Sequence, residues 1–256
     1  MYQVISYIKF LWKSKNQHGV HSPFVYNLVT RCFYDRTNYA HYLKLNSYRK
    51  SLLGNSTVIE VTDFGSGSRV FSSNKRSIKH IAKTSGTPFK RAKLLYRLVH
   101  HFHPKTILEL GTSLGIGTYA MALAASEANI SSIEGCPEIA NVAEPLLQKF
   151  QATNVILKTG RFSEILPQLP QTSFDLVFFD GHHDKDATLR YFEQLLPKVQ
   201  NDSLFIFDDI HWSKGMTEAW ETIKQHPEVT VTIDTFHWGF VFFRSEQAKE
   251  HFTIRL

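Results

Sequence analysis

Hydrophobic positions follow two rhythms along this chain, and the change falls near residue 106. Before it, they recur at helical spacing. Val4, Ile5, Ile8, Leu11 and Trp12 predict an amphipathic helix over 2–12. A polar stretch at 16–22 follows, and Pro23 suits the start of a helix over 24–33. The pattern then predicts a helix over 39–53 that stops at Gly54, a short apolar run at 58–61 and a basic helix over 74–84. Thr87-Pro88 opens a further helix whose stripe is Phe89, Ala92, Leu95, Val99 and Phe102. Past 106, short β-rich runs alternate with helical stretches. Strands are predicted at 106–110, 130–133, 155–158, 174–179 and 203–207, and helices at 117–126, 137–150, 162–166, 186–199 and 215–225. Such alternation implies βαβ units and a parallel sheet covered on both faces. Residues 229–234 alternate with period two and lead through a turn at 235–239 into 240–243, which predicts an antiparallel hairpin closing the sheet.

Composition adds exclusions. At 256 residues, 43% hydrophobic and 20% charged, the chain is neither disordered nor collagen-like. No apolar run reaches the ~18 residues of a membrane span. The first fifteen residues carry Lys9, Lys13 and Lys15 and lack a small-residue cleavage site, so they do not read as a secretory signal. Two cysteines, Cys32 and Cys136, are too few for a disulfide framework or a cysteine zinc site. A cytoplasmic protein with free thiols is expected. The net charge of +6 hides a split: residues 1–105 carry +15 and residues 106–256 carry −9. That split is a reason to expect two structural parts, and the expected division is a helical N-terminal extension, 1–87, and an α/β part, 88–256. The basic extension suits a phosphate-rich partner such as RNA, a dock on the chain's own acidic part, or plain solvation. The apolar first helix offers a surface for a second copy of the chain.

The chemistry gathers at strand ends. The strand Ile107-Leu108-Glu109-Leu110 runs into Gly111-Thr112-Ser113-Leu114-Gly115-Ile116-Gly117. Glycines at a strand-to-helix turn let backbone approach a ligand, and the helix start offers free N–H groups. Glu134 ends the next strand, 23 residues after Gly111, where an acid accepts hydrogen bonds from ribose hydroxyls. A second glycine turn, Gly65-Ser66-Gly67, has no acid-tipped strand behind it and reads as a plain turn.

Glu109-Leu-Gly111-Thr-Ser-Leu-Gly115, Glu134, Phe174-Asp175-Leu-Val-Phe-Phe-Asp180-Gly181 and the closing hairpin together resemble a class I S-adenosylmethionine-dependent methyltransferase over about 88–244. The resemblance implies a Rossmann-like sheet of seven strands with the last antiparallel, and S-adenosylmethionine as cofactor. It implies that Glu109, Gly111, Thr112, Ser113 and Gly115 wrap the methionine part, with Glu134 and Gly135 at the ribose. Gly160, Arg161 and Phe162 would lie near the adenine. Ser113 stands where a glycine is common, and Arg161 where an acid is common.

Asp180 ends the fourth predicted strand and Asp208-Asp209 the fifth. Converging carboxylates raise one another's pKa unless a cation sits among them, and oxygen ligands of this kind suit Mg²⁺. The pattern resembles the catechol O-methyltransferase type, with Asp209 where that type has Asn. It implies Asp180, Asp208 and Asp209 as metal ligands and Asp180 as a neighbour of the donor. His183 follows Asp180 by three residues, where that type carries a catalytic Lys. His182 and His183 are the candidates for the base that takes the acceptor's proton, and Asp180 is the third catalytic candidate. His211 is a further candidate, and His18 with His21 are candidates for a lid. The expected activity is O-methylation of a small hydroxylated molecule, with cation assistance. The alternatives are RNA methylation through the basic extension and donor binding without turnover.

Overall fold

The computed structural model describes residues 1–62 and 74–256, so the glycine turn expected at 65–67 lies outside the described residues. Contacts divide the chain into two compact units, Asp35–Leu169 and Met1–Tyr34 with Pro170–Leu256. The first 87 residues are thus shared between the two.

The chain opens with α1 (Tyr2–Lys13) and α2 (Pro23–Leu28). The Ser22 side chain caps α2 by accepting from the Val25 N–H, and Pro23 occupies the first turn. The α-helix expected through Phe33 does not persist. Val29–Phe33 widens into a π-helical turn in which the Tyr34 N–H donates to the Val29 carbonyl at 2.9 Å. The Thr30 hydroxyl donates back to the Tyr26 carbonyl at 2.8 Å and competes with the ladder there.

The unit Asp35–Leu169 begins with α3 (His41–Leu53), which buries Tyr42, Leu45, Tyr48 and Leu52. Next come β1 (Val58–Glu60), β2 (Lys75–Ser77) and α4 (Ile78–Thr84). The basic helix expected over 74–84 therefore starts four residues late. Lys75–Ser77 instead pairs antiparallel with Val58–Glu60, and the Ile78 N–H is taken by the Thr57 carbonyl. Then follow α5 (Phe89–Phe102), β3 (Thr106–Leu110), α6 (Ile116–Ala124), β4 (Asn129–Glu134), α7 (Pro137–Lys149), β5 (Val155–Thr159) and α8 (Phe162–Ile165). β4 pairs parallel with β3 on one side and β5 on the other, with Leu110 opposite Ile133 and Glu134 opposite Thr159. That register brings the glycine turn after β3 beside Glu134.

The remaining elements are β6 (Leu176–Phe179), α9 (Lys185–Leu195), β7 (Leu204–Asp208), α10 (Lys214–Gln225), β8 (Val231–Asp234), β9 (Trp238–Phe242) and β10 (Glu250–Thr253). β6 and β7 are parallel, and β9 runs antiparallel between β7 and β8. All seven expected strands are present, including the antiparallel closing hairpin. An eighth, β10, lies parallel to β8. Every residue of β6, β7 and β9 is buried, as in strands covered on both faces. Trp220, on α10, packs so closely over β9 that a Cβ on Gly239 would fall 2.6 Å from its ring. Among the described residues, no helix is long and apolar enough to cross a membrane.

Candidate functional site

The turn between β3 and α6 takes backbone conformations that most side chains avoid. Gly111, Ser113 and Gly115 have φ of 105°, 49° and 76°. Glycine adopts this region freely, whereas a residue with a Cβ does so at a cost of order 1–2 kcal/mol. Gly115 has a second constraint: a Cβ there would lie 2.6 Å from the Tyr48 hydroxyl. That hydroxyl donates to the Leu114 carbonyl at 2.9 Å, and the Tyr48 ring stacks on Tyr119 at 4.7 Å. Helix α3 thereby braces the turn from beneath. Tyr48 was not among the candidate residues. Its place in the stripe Tyr42, Leu45, Tyr48, Leu52 reads as core, and nothing in that spacing announces a hydroxyl aimed at a loop.

Glu134 closes the turn from the neighbouring strand. Its Oε2 accepts the Ser113 N–H at 2.8 Å and its Oε1 the Cys136 N–H at 2.9 Å. The Gly111 and Thr112 N–H groups donate to the Ile133 carbonyl at 2.9 and 3.2 Å, and the Gly160 N–H donates to the Glu134 carbonyl at 2.9 Å. Three strand ends are thus stitched together, which brings Gly111, Thr112, Ser113, Glu134, Gly135 and Gly160 into one cradle. Arg161 is exposed at the start of α8, while Phe162 is buried. The Cys136 thiol is also buried, which pushes its pKa up.

Glu109 lies under the cradle and is fully buried. Its Oε2 accepts from the Ser132 and Thr118 hydroxyls, each at 2.5 Å. Ser132 spends its proton on Glu109, so the Thr112 hydroxyl, 2.5 Å away, donates to Ser132. Burial raises the Glu109 carboxyl from 4.5 to about 8, against the two hydroxyl donors and with the Glu134 charge adding to the rise. Below that pH the proton belongs on Oε1, because Oε2 already accepts two bonds. Oε1 is buried without a partner. Polar Ser131-Ser132 inside a buried strand was the sequence signal for this network: hydroxyls there need an acceptor nearby.

The second group of candidates lies in the other unit. Asp180 follows β6, and His182 and His183 follow it with φ of 69° and 43°. The His183 N–H donates to the Gly181 carbonyl at 2.9 Å, which closes a tight turn. Asp208 ends β7, and its Oδ1 accepts the N–H of Asp209, whose φ is 54°. Three non-glycine residues thus hold left-handed backbone at the exits of two parallel strands. Strain of this kind gathers at functional positions.

The expected metal ligands do not assemble. Among the described residues, no three His, Cys, Asp or Glu side chains are grouped so as to hold a metal ion. Asp208 spends one oxygen on a backbone N–H next to it. His211 is likewise committed elsewhere: Nε2 bonds Asp234 at 2.8 Å and Nδ1 bonds Thr217 at 3.2 Å, while its ring stacks on Phe236. With both nitrogens engaged, it ties the turn between β8 and β9 to the start of α10. His18 and His21 are exposed in the loop before α2.

Comparison with known proteins gives the cradle a context. Residues 108–210 match the family described as methyltransferase domain, from within β3 to just past β7. A catechol O-methyltransferase from Niastella koreensis is 31% identical over 125 residues, which cover 47% of this chain and 56% of that enzyme. The match thus spans about half the length of that curated relative. An O-methyltransferase from Bacillus cereus, solved with SAH, shares the fold with a TM-score of 0.53 at 23% identity, covering 62% of this chain and 81% of its own. A SAH-bound methyltransferase from Podospora anserina shares it over 88% of this chain and 97% of its own, with a TM-score of 0.61 at 13% identity.

Proposed function

We propose that this chain, whose residues 108–210 match a methyltransferase domain, transfers a methyl group from S-adenosylmethionine to a hydroxyl of a small molecule. The observation that carries the reading is the cradle, in which a glycine turn at a helix start is tied to an acid on the next strand. Its polar groups fit the cofactor: the first turn of a helix, a carboxylate at a strand tip, and an unpartnered buried oxygen on Glu109. Glu109, Gly111, Thr112, Ser113 and Gly115 would hold the methionine part, and Glu134 with Gly135 the ribose. Gly160, Arg161 and Phe162 would bound the adenine, and Asp180 is the remaining residue we assign to the donor.

When bound, the sulfonium supplies a methyl group already activated for displacement. The chain's own task is to prepare the acceptor. His183 takes the acceptor hydroxyl's proton as its oxygen attacks, and His182 assists in placing the acceptor. We derive no step through a metal, because Asp180, Asp208 and Asp209 are not grouped as a set of three ligands among the described residues. We assign acceptor choice to residues 1–87 and catalysis to 88–256. Cys32 and Cys136 are buried and not joined in a disulfide, which suits a reducing compartment, and we place the protein in the cytoplasm.

The test is methyl transfer from labelled donor to catechols and other phenols, with added Mg²⁺ and with chelator. We expect methylated product in both conditions and its loss in His183→Ala. Strict Mg²⁺ dependence abolished in Asp180→Asn would restore the metal trio. Transfer to RNA and to no small hydroxyl would move the activity to nucleic acid. Donor binding without transfer to either would leave a binding module.

A further inference from the structure

Helix α1 turns its apolar side outward. Only Phe10 is buried, against Phe236 at 5.6 Å, with Tyr7 edge-on to the same ring at 4.8 Å. At about 100° per residue, Val4, Ile8, Trp12 and Ile5 lie opposite Phe10 on one arc. They are 63%, 51%, 90% and 47% exposed. Lys9 and Lys13 are exposed along one edge of that arc. Lys15 follows the helix, and the Arg255 guanidinium comes within 3.3 Å of the Ser14 hydroxyl at its end. The segment from residue 1 to 34 holds Lys9, Lys13, Lys15 and Arg31 and no Asp or Glu. The helix is firmly attached: backbone bonds join Lys15 to Thr253 at 2.8 Å and Arg255 to Lys15 at 3.1 Å.

We propose that α1 is an interfacial helix that docks this protein on an anionic lipid bilayer surface. An apolar face with Trp at one end, bordered by lysines and free of acid, is the chemistry that sinks into the headgroup boundary and meets negative charge there. The lysine stems would run along the bilayer surface with their ammonium groups at the lipid phosphates. A second copy fits less well. A twelve-residue helix is about 18 Å long and presents a few hundred Å², whereas stable partners bury about 800 Å² each. Pairing two such faces would also bring together two lysine rows with no acid to answer them. Docking of this kind would hold the enzyme where lipid-soluble phenols concentrate. That consequence rests on the proposed methyltransferase function, while the docking itself does not.

Vesicle flotation tests this with the full chain and phosphatidylcholine vesicles, with and without phosphatidylglycerol. We expect binding to the anionic vesicles that falls with added salt and is weak on phosphatidylcholine alone. Ile8→Glu with Trp12→Glu should abolish it. Lys9→Gln and Lys13→Gln should each weaken it about fivefold. The substituted side chains are exposed, and unchanged donor binding and melting temperature confirm that the variants fold. Absence of binding to anionic vesicles overturns the proposal. So does sedimentation showing a dimer that dissociates in Ile8→Glu when no variant-sensitive vesicle binding is seen, for then a second copy covers the face.

Discussion

Replacing Glu109 by Gln should stabilise the protein, and increasingly so as the pH rises. In the unfolded chain this carboxyl ionises near 4.5, whereas burial holds it to about 8 in the native state. Between those values the folded protein keeps a proton that the unfolded chain has released. Native stability therefore falls across that window and is lowest above about pH 8, where the buried carboxylate is charged. The gap, at about 1.4 kcal/mol per pH unit, costs roughly 2–5 kcal/mol at alkaline pH. Gln keeps a carbonyl oxygen to accept from Ser132 and Thr118 and has no charge to bury. Its melting temperature should match wild type near about pH 5 and exceed it by roughly 5–15 °C near about pH 9. Thermal unfolding followed by circular dichroism across that range measures this directly. Parallel curves for the two proteins would refute the reasoning, because Glu109 would then not be the protonated, buried acid described above.

Three further perturbations follow from the packing. Gly115→Ala places a methyl 2.6 Å from the Tyr48 hydroxyl at a φ of 76°, so it should destabilise by about 2–4 kcal/mol in urea unfolding, and Tyr48→Phe should recover part of that loss. Gly239→Ala drives a Cβ into the Trp220 ring and should cost about 1–3 kcal/mol with no effect on donor affinity, as read by melting and by calorimetry. His183→Gly should be more stable than His183→Ala by about 1 kcal/mol, since only glycine relieves the φ of 43°, while both variants lose turnover and keep donor binding.

The α/β rhythm was legible because each strand is short, apolar and bounded by turn residues. Leu176 to Phe179 is the clearest case, and it is buried throughout. The acid at the end of β4 was legible for the same reason: strand length fixes where the chain exits, and Glu134 stands at that exit. Other features depend on partners distant in sequence. Lys75–Ser77 is polar and looks helical, yet it becomes a strand because Val58–Glu60 offers it an edge. Glu250–Thr253 carries no alternation to mark it, and joins the sheet as the outer neighbour of β8. The π-turn at Val29–Phe33 sits in a run whose hydrophobic spacing continues the helix before it, so the spacing does not register the change. Carboxylate spacing suggested a metal trio, but spacing cannot say which oxygens a backbone N–H will claim, as at Asp208. The pairing of His211 with Asp234 was hidden likewise, since 23 residues separate them.

The central claim is that the cradle of Gly111, Ser113 and Glu134 holds S-adenosylmethionine. Titration of the purified chain with that donor by calorimetry tests it most directly, beside Glu134→Ala and the milder Glu134→Gln, with melting curves to confirm that both variants fold. The account predicts saturable one-to-one binding by wild type, lost in Glu134→Ala and weakened in Glu134→Gln. No heat of binding in the wild type, or equal affinity in all three proteins, would contradict it.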